Sequence, residues 1–309
     1  MVRQRILVPP PGGSNPPAPA IFLNLFTEFF VNDNIIKAKK GASSFEEAFF
    51  HSNETYIHPS AIIGDNVELG SNVKVGPFCI ITGNVKIGDN TRLHANVMVG
   101  FPAQNIGTKE SYGNIEIGQN CELREFVTIH ASKYPDGSTK IGNSCYIMNY
   151  SHVSHDSILE DNVTLINNVS LGGHSYIEKN AFLMAYAATH QFCRVGTFTA
   201  VAPFSGARQD LPPFCLFNEQ PAAYAGLNVI ALKRAGFSSE TINALKHVTK
   251  LFYNEKMLLA KIKEVAINQS WGNDPKVQHF LNFIENSKRG VSMRAVSDQN
   301  SKVQQQEIL

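Results

Sequence analysis

Residues 57–93 read IHPSAIIGDNVELGSNVKVGPFCIITGNVKIGDNTRL, and an aliphatic side chain returns at Ile57, Ile63, Leu69, Val75, Ile81, Ile87 and Leu93. The interval is six. A helix repeats its apolar face every 3.6 residues and a half-buried strand every two, so neither explains the spacing. A parallel β-helix does, because each hexad is one short strand plus a corner and three hexads close a triangular coil. The same phase continues through Val99, Ile117, Leu123, Ile129, Ile141, Ile147, Val153, Leu159, Leu165, Leu171, Ile177, Leu183, Val195 and Val201. Of the 25 slots from 57 to 201, only Asn105, Ser111, Pro135 and Thr189 are not aliphatic. The pattern therefore predicts a mainly β fold with a narrow apolar core, in which residues 18 apart stack one strand spacing, about 4.8 Å, above each other.

Two stretches interrupt the rhythm without changing its phase, 100–116 and 131–140, the second carrying Pro135-Asp136-Gly137. Both read as loops thrown out from a corner, where a rigid scaffold tends to carry its binding residues. The β-helix is expected over 55–215, where Gln209-Asp210-Leu211-Pro212-Pro213 ends it. A helical domain is expected over 216–291, with Ser238 or Ser239 as a cap before Ile242, Leu245, Val248, Leu251 and Phe252. Further amphipathic stretches run from Met257 to Ile267 and from Val277 to Ile284. Residues 292–309 read as a flexible tail. In the N-terminal extension, 1–54, the Pro- and Gly-rich run 9–19 reads as flexible, and Ile21–Phe30 as a short helix capping the first coil.

Composition excludes several classes of function. The formal net charge is +1 and charged residues make up 17%, so no polyanion surface is signalled and nucleic acid is not an expected partner. No apolar run approaches the length of about 20 residues that a membrane span needs. The five cysteines, 79, 121, 145, 193 and 215, form no CxxC and read as free buried thiols of a reducing cytoplasm.

Six histidines fall between 94 and 190: His94, His130, His152, His155, His174 and His190. The 18-residue arithmetic places Gly173 above His155 and His174 above Asp156. One edge can thus gather an imidazole, a carboxylate and a glycine amide, the ingredients of acyl transfer. His155 suits a general base acting on a hydroxyl. Asp156 would fix its tautomer, provided the corner turns there, since neighbours in a strand point to opposite faces. The Gly173 N–H would stabilise an oxyanion. Two other readings compete with this one: histidines lining a solvated corner of a β-helix that only binds or scaffolds, and a metal site. Hexapeptide-repeat proteins that hold zinc between subunits, the γ-class carbonic anhydrases, use a His-x4-His string that is absent here, so no metal is expected.

The strings His152-Val-Ser-His155-Asp156, Leu171-Gly-Gly-His174, His190-Gln-Phe-Cys193, Gln209-Asp-Leu-Pro-Pro213 and Leu227-Asn-Val-Ile-Ala-Leu-Lys-Arg-Ala-Gly-Phe237 resemble the bacterial UDP-N-acetylglucosamine O-acyltransferase family, which opens lipid A biosynthesis. The resemblance covers about residues 55–290. It implies a left-handed coil, a homotrimer with sites between subunits, and an acyl group delivered by acyl carrier protein to the 3-hydroxyl of a UDP-amino sugar without a cofactor. By position it makes His155 the general base, Asp156 its orienting acid and Gly173 the oxyanion donor. It also puts His130, His152, His174, His190, Gln191 and Gln104 around the sugar and acyl-pantetheine, and Asn228 and Arg234 on the nucleotide. The chain length of the acyl group is gauged at Ala202-Pro203, whose added bulk predicts short or medium chains. Acyl carrier protein is acidic, and residues 222–290 hold ten Lys/Arg against five Asp/Glu, a net basic docking face.

Departures from the family pattern concern the acceptor. Where the family shows Gln-Asp followed by a Lys, this chain has Gln104-Asn105-Ile106-Gly107, and Ile230 and Ala235 replace a Glu and an Arg. They fit a divergent paralogue whose acceptor is bound differently, including a nucleotide-sugar N-acyltransferase acting on a 3-amino sugar or using an acyl-CoA donor.

Overall fold

The computed structural model describes residues 46–106 and 113–293; the expected capping helix at 21–30, Gly107 and the tail beyond 293 lie outside them. Strands mostly two to four residues long wind into a left-handed coil with three flat faces. This is the handedness opposite to ordinary β-crossovers. The first face stacks pairs such as Arg92–Leu93, Tyr146–Ile147 and Ala200–Val201. Pairs such as His152–Val153 and Ser170–Leu171 build the second, and Ile158–Leu159 and Tyr176–Ile177 the third. All coil-to-coil pairing is parallel and mostly in 18-residue register, as in His152↔Ser170 and Ile158↔Tyr176. The inward residue of each hexad is the core: Leu93, Leu123, Ile147, Val153, Leu165 and Ile177 are all fully buried. All five cysteines are free and buried.

Most corners hold one residue in the left-handed backbone region, with Asn at φ 56° (Asn72), 58° (Asn90) and 59° (Asn162), a conformation Asn tolerates better than most residues. On the lower rungs of the third face the outward residues alternate in charge, and Lys86 pairs with Glu68 and Lys140 with Glu116 at 3.0–3.1 Å. That face is built for water.

Both interruptions leave from the corner between the second and third faces. Thr128 pairs with Met98, 30 positions back, and with His152, 24 positions on. The loops therefore add twelve and six residues to the 18-residue coil, whole hexads, which is why the phase survives them. Each is shorter than the sequence suggested. Strands Met98–Phe101 and Asn114–Ile117 trim the first to 102–113, and Ser138–Ile141 trims the second to 131–137. The reason is that Ile115 and Thr139 already point into the core at 0% exposure.

The coil also runs past residue 215. Gly206–Ala207 adds a rung, and Cys215–Asn218 pairs first with Ala200–Val201 and then, antiparallel, with Ala223–Leu227. Helices begin only afterwards, as α1 (Val229–Arg234), α2 (Ser239–Thr249), α3 (Leu259–Ile267) and α4 (Pro275–Glu285). The Thr241 N–H donates to Ser238 Oγ (3.1 Å) at the start of α2, and Asp274 caps α4 with Pro275 behind it. Buried carboxylates fasten α4 to the coil. Glu178 accepts from His279 Nε2 (2.8 Å) and the Thr197 N–H (2.9 Å), while Asp210 accepts from Ser287 Oγ (2.8 Å) and the Arg194 N–H (2.8 Å). Ser292, expected in the flexible tail, is instead buried and bonded to the Asp210 carbonyl.

Candidate active site

One corner, between the second and third faces, carries nearly every chemically suggestive string. Rising along it are His130 with the 131–137 insert, then His155-Asp156, then Gly173-His174, then His190-Gln191. Asp156 is the turning point. Its φ of 60° swings the chain through the corner, so two sequence neighbours meet on the same side. Asp156 Oδ2 lies 2.8 Å from His155 Nδ1. The Asp156 backbone N–H donates to Thr139 Oγ1 at 2.8 Å, and its carboxylate accepts from Ser132 Oγ and, at 3.4 Å, from the Lys133 N–H. Burial pushes the Asp156 carboxyl up, but the Ser132 and His155 bonds, the Lys133 amide and the nearby His174 outweigh it and leave the group below the usual carboxylate range. It is ionised at neutral pH, so His155 carries its proton on Nδ1 and presents a bare Nε2.

The Nε2 edge faces the next rung. A Cβ built on Gly173 would sit 2.7 Å from His155 Nε2 and 2.6 Å from Cε1, a contact only glycine permits. The neighbouring backbone groups are committed to the coil: the His174 N–H donates to the His155 carbonyl (3.0 Å), and the Gly173 carbonyl accepts from the Phe192 N–H (2.9 Å). Among the described residues neither His155 Nε2 nor the Gly173 N–H has a hydrogen-bond partner. A free base and a free amide side by side can take a proton and hold a developing oxyanion.

Other histidines complete the wall. His174 packs at right angles to His155 (5.3 Å, 88°) and stacks on Phe192 (4.5 Å, 7°), and Tyr134 lies 6.1 Å away. His152 bonds Thr128 Oγ1 at 2.8 Å and packs edge-on to the buried His130 at 5.1 Å. Burial is the leading cause that lowers the imidazoles of His130, His152 and His174, and neighbouring His130 and His155 help bring His152 down to about 4. A depressed histidine binds its proton more readily in the unfolded chain. The stability it contributes is therefore whole above about pH 6.5 and is lost as the pH falls towards 4. Thermal melting between pH 7 and 4 is expected to show that decline, with a shallower slope in His152→Gln; equal slopes would contradict it.

Not every expected residue sits against His155. His190 and Gln191 are exposed one rung above His174, with His190 Nδ1 3.2 Å from Arg289 Nη2. Gln104 is exposed within the first insert. Ala202 and Pro203 sit at the corner between the first and second faces. Asn228 caps α1, accepting from the Ala231 N–H (3.4 Å), and donates to the Phe198 carbonyl (2.9 Å), at the corner between the third and first faces. Arg234 is exposed at the end of α1. Within one chain these four lie away from the His155 corner.

Ser132, Thr139, Tyr134 and Phe192 were not singled out from the sequence. Counting 18 back from Asp156 reaches Ser138; the six-residue insert makes the true interval 24, which reaches Ser132. His155, Asp156 and His174 place ligand-type atoms within 4.8 Å of one another, a set that could hold a metal ion. Asp156, however, already accepts from three donors, which leaves it poorly disposed to bind one.

Comparison with known proteins decides the family. Residues 210–292 match the profile described as UDP-N-acetylglucosamine O-acyltransferase, domain 2, and residues 66–100 that of the bacterial transferase hexapeptide (six repeats). An acyl-(acyl-carrier-protein)–UDP-N-acetylglucosamine O-acyltransferase of Thermodesulfovibrio yellowstonii is 39% identical over 254 residues, 76% of this chain and 98% of that protein. The chain belongs to the UDP-N-acetylglucosamine O-acyltransferase family. The O-acyltransferase of Janthinobacterium sp. is 35% identical over 258 residues, again 98% of its length. Among solved structures, the UDP-N-acetylglucosamine acyltransferase of Francisella novicida superposes with a TM-score of 0.68 at 29% identity, covering 80% of this chain and 96% of that one. The Acinetobacter baumannii protein gives 0.69 at 27%, covering 76% and 99%. No helix among the described residues is long and apolar enough to cross a membrane.

Proposed function

We propose that this protein transfers a fatty acyl group from the thioester of acyl carrier protein to the 3-hydroxyl of UDP-N-acetylglucosamine, the first acylation of lipid A-type synthesis. The observation that carries the reading is the ionised Asp156 holding His155 Nδ1 at 2.8 Å while the other imidazole edge lies against Gly173. His155 Nε2 takes the proton as the sugar oxygen attacks the thioester carbonyl. The negative charge gathers on the carbonyl oxygen, towards the Gly173 N–H. Collapse re-forms the carbonyl, breaks the carbon–sulfur bond, and returns the proton from His155 to the departing pantetheine sulfur. His152, His174, His190 and Gln191 would line the sugar and pantetheine. No step requires a metal.

A homotrimer is part of the proposal. Phe78, Phe126, Tyr150, Tyr186 and Phe204 follow the corner between the first and second faces, all exposed and all with positive φ. An aromatic residue in that backbone region costs free energy, and burial of the row against another copy would offset it. The same contact could bring Ala202-Pro203, Asn228 and Arg234 of one subunit to the His155 corner of another.

The departures at Asn105, Gly107, Ile230 and Ala235 favour one second reading, N-acylation of a UDP sugar with a 3-amino group. Incubating purified protein with either acceptor and a panel of acyl carrier proteins bearing graded chains, read by mass spectrometry, separates the two. O-acylation with short or medium chains, undiminished by chelator, is expected. Product only from the amino sugar would replace the main reading, and a preference for the longest chains would reject the role of Ala202-Pro203.

A further inference from the structure

The Asp156 carboxylate lies within reach of two imidazoles. Oδ2 is 2.8 Å from His155 Nδ1 and 3.7 Å from His174 Nε2, and His174 Nε2 is buried without a hydrogen bond among the described residues. A modest turn of the carboxylate about its own bond would exchange one partner for the other, leaving His155 free to rotate and to change tautomer. Something must hold the carboxylate towards His155.

The six-residue insert delivers that group. Ser132 is fully buried, and its Oγ accepts the Tyr134 N–H at 3.0 Å. A hydroxyl has one proton to donate. With an N–H already pointing at its oxygen, that proton goes to Asp156 Oδ1. The donors then converge on the carboxylate: the Tyr134 amide donates to Ser132 and Ser132 to Asp156 Oδ1, two linked bonds that reinforce each other, while the His155 Nδ1 proton is donated to Oδ2. The hydroxyl has no room to leave. A Cβ on Gly137 would lie 2.2 Å from Ser132 Oγ, and one on Gly113 would lie 2.6 Å from Ser132 Cβ, so the two glycines bring backbone tightly around it. Thr139 Oγ1 fixes the Asp156 backbone from the other side at 2.8 Å.

We propose that Ser132 is a positioning residue of the acyl transfer: it locks the Asp156 carboxylate onto His155 rather than His174 and thereby holds His155 as the Nδ1–H tautomer. The assignment rests on the function proposed above. It predicts that Ser132→Ala lowers kcat ten- to a hundredfold, the range expected for loss of a bond to a charged group, with KM for both substrates unchanged. Because Ser132 acts through Asp156, adding Ser132→Ala to Asp156→Ala should cost nothing further, whereas a merely structural serine would cost the same in either background. Ser132→Cys, which keeps the side chain in place with a weak donor, should fall between the two and serves if the alanine variant folds poorly.

Nitrogen NMR of protein labelled at histidine gives a readout independent of turnover. The His155 signal should be almost wholly Nδ1–H in the native protein and mixed in Ser132→Ala. A variant within twofold of native kcat, additive losses with Asp156→Ala, or an unchanged tautomer would overturn the assignment. A native protein that acylates no acceptor, yet shows the tautomer change, would reject the proposed function and keep the positioning.

Discussion

Replacing His155 with Ala is expected to lower turnover by two to four orders of magnitude while leaving the fold intact. His155 contributes nothing to the apolar stack, because it sits at a corner and the core residue of that hexad is Val153. What the change removes is, among the described residues, the only imidazole whose Nδ1 is held by an ionised carboxylate and whose other edge lies against Gly173. His152 and His174 are poor substitutes, because burial keeps both less basic than an ordinary imidazole. General-base catalysis is typically worth 10²–10⁴-fold, which sets the range. Steady-state turnover beside a circular dichroism spectrum checks it. A variant that keeps a tenth of native turnover would remove His155 from the mechanism, and the scaffold reading would then have to be taken up again.

Gly173→Ala should be nearly as damaging, although it deletes no functional group. The backbone N–H survives, but the added methyl would lie 2.6–2.7 Å from Cε1 and Nε2 of His155, closer than carbon atoms approach. The ring must swing out of its packed position against His174, taking Nδ1 away from Asp156. Loss of the aligned base and disturbance of the oxyanion donor together are expected to cost about 10²–10³-fold in kcat, comparable to removing one oxyanion-hole donor. KM should change little, since the methyl points at the base rather than at the sugar. Native-like kcat with a raised KM would show instead that Gly173 makes room for substrate and leaves the imidazole alone.

Much of this geometry could be read from the chain before any coordinate. Period six demanded a coil, and counting 18 put Gly173 over His155 and His174 over Asp156, as the registers of the flanking strands now give directly. The count failed where it crossed an insert. Ser132 lies 24 positions before Asp156, and only the pairing Thr128↔His152 reveals the extra hexad. Loop boundaries also come out too wide, because Ile115 and Thr139 turn inward two residues before Ile117 and Ile141 resume the six-residue rhythm. Asn228 shows the opposite limit. Its motif suggested a nucleotide contact, while within one chain both its side-chain atoms are engaged in capping α1 and in holding the Phe198 carbonyl.

Sequence alone determined the coil, its core and the stacking of chemistry onto one edge, since a repeat that buries the same positions of each hexad can satisfy its core in only one phase. Only tertiary structure decided that Asp156 turns back towards His155, that Ser132 holds it there, and that Ala202, Pro203 and Asn228 fall on other corners. Those outcomes depend on the backbone torsion of single corner residues and on the lengths of inserts, and a whole-hexad insert leaves no trace in the period that announces the fold.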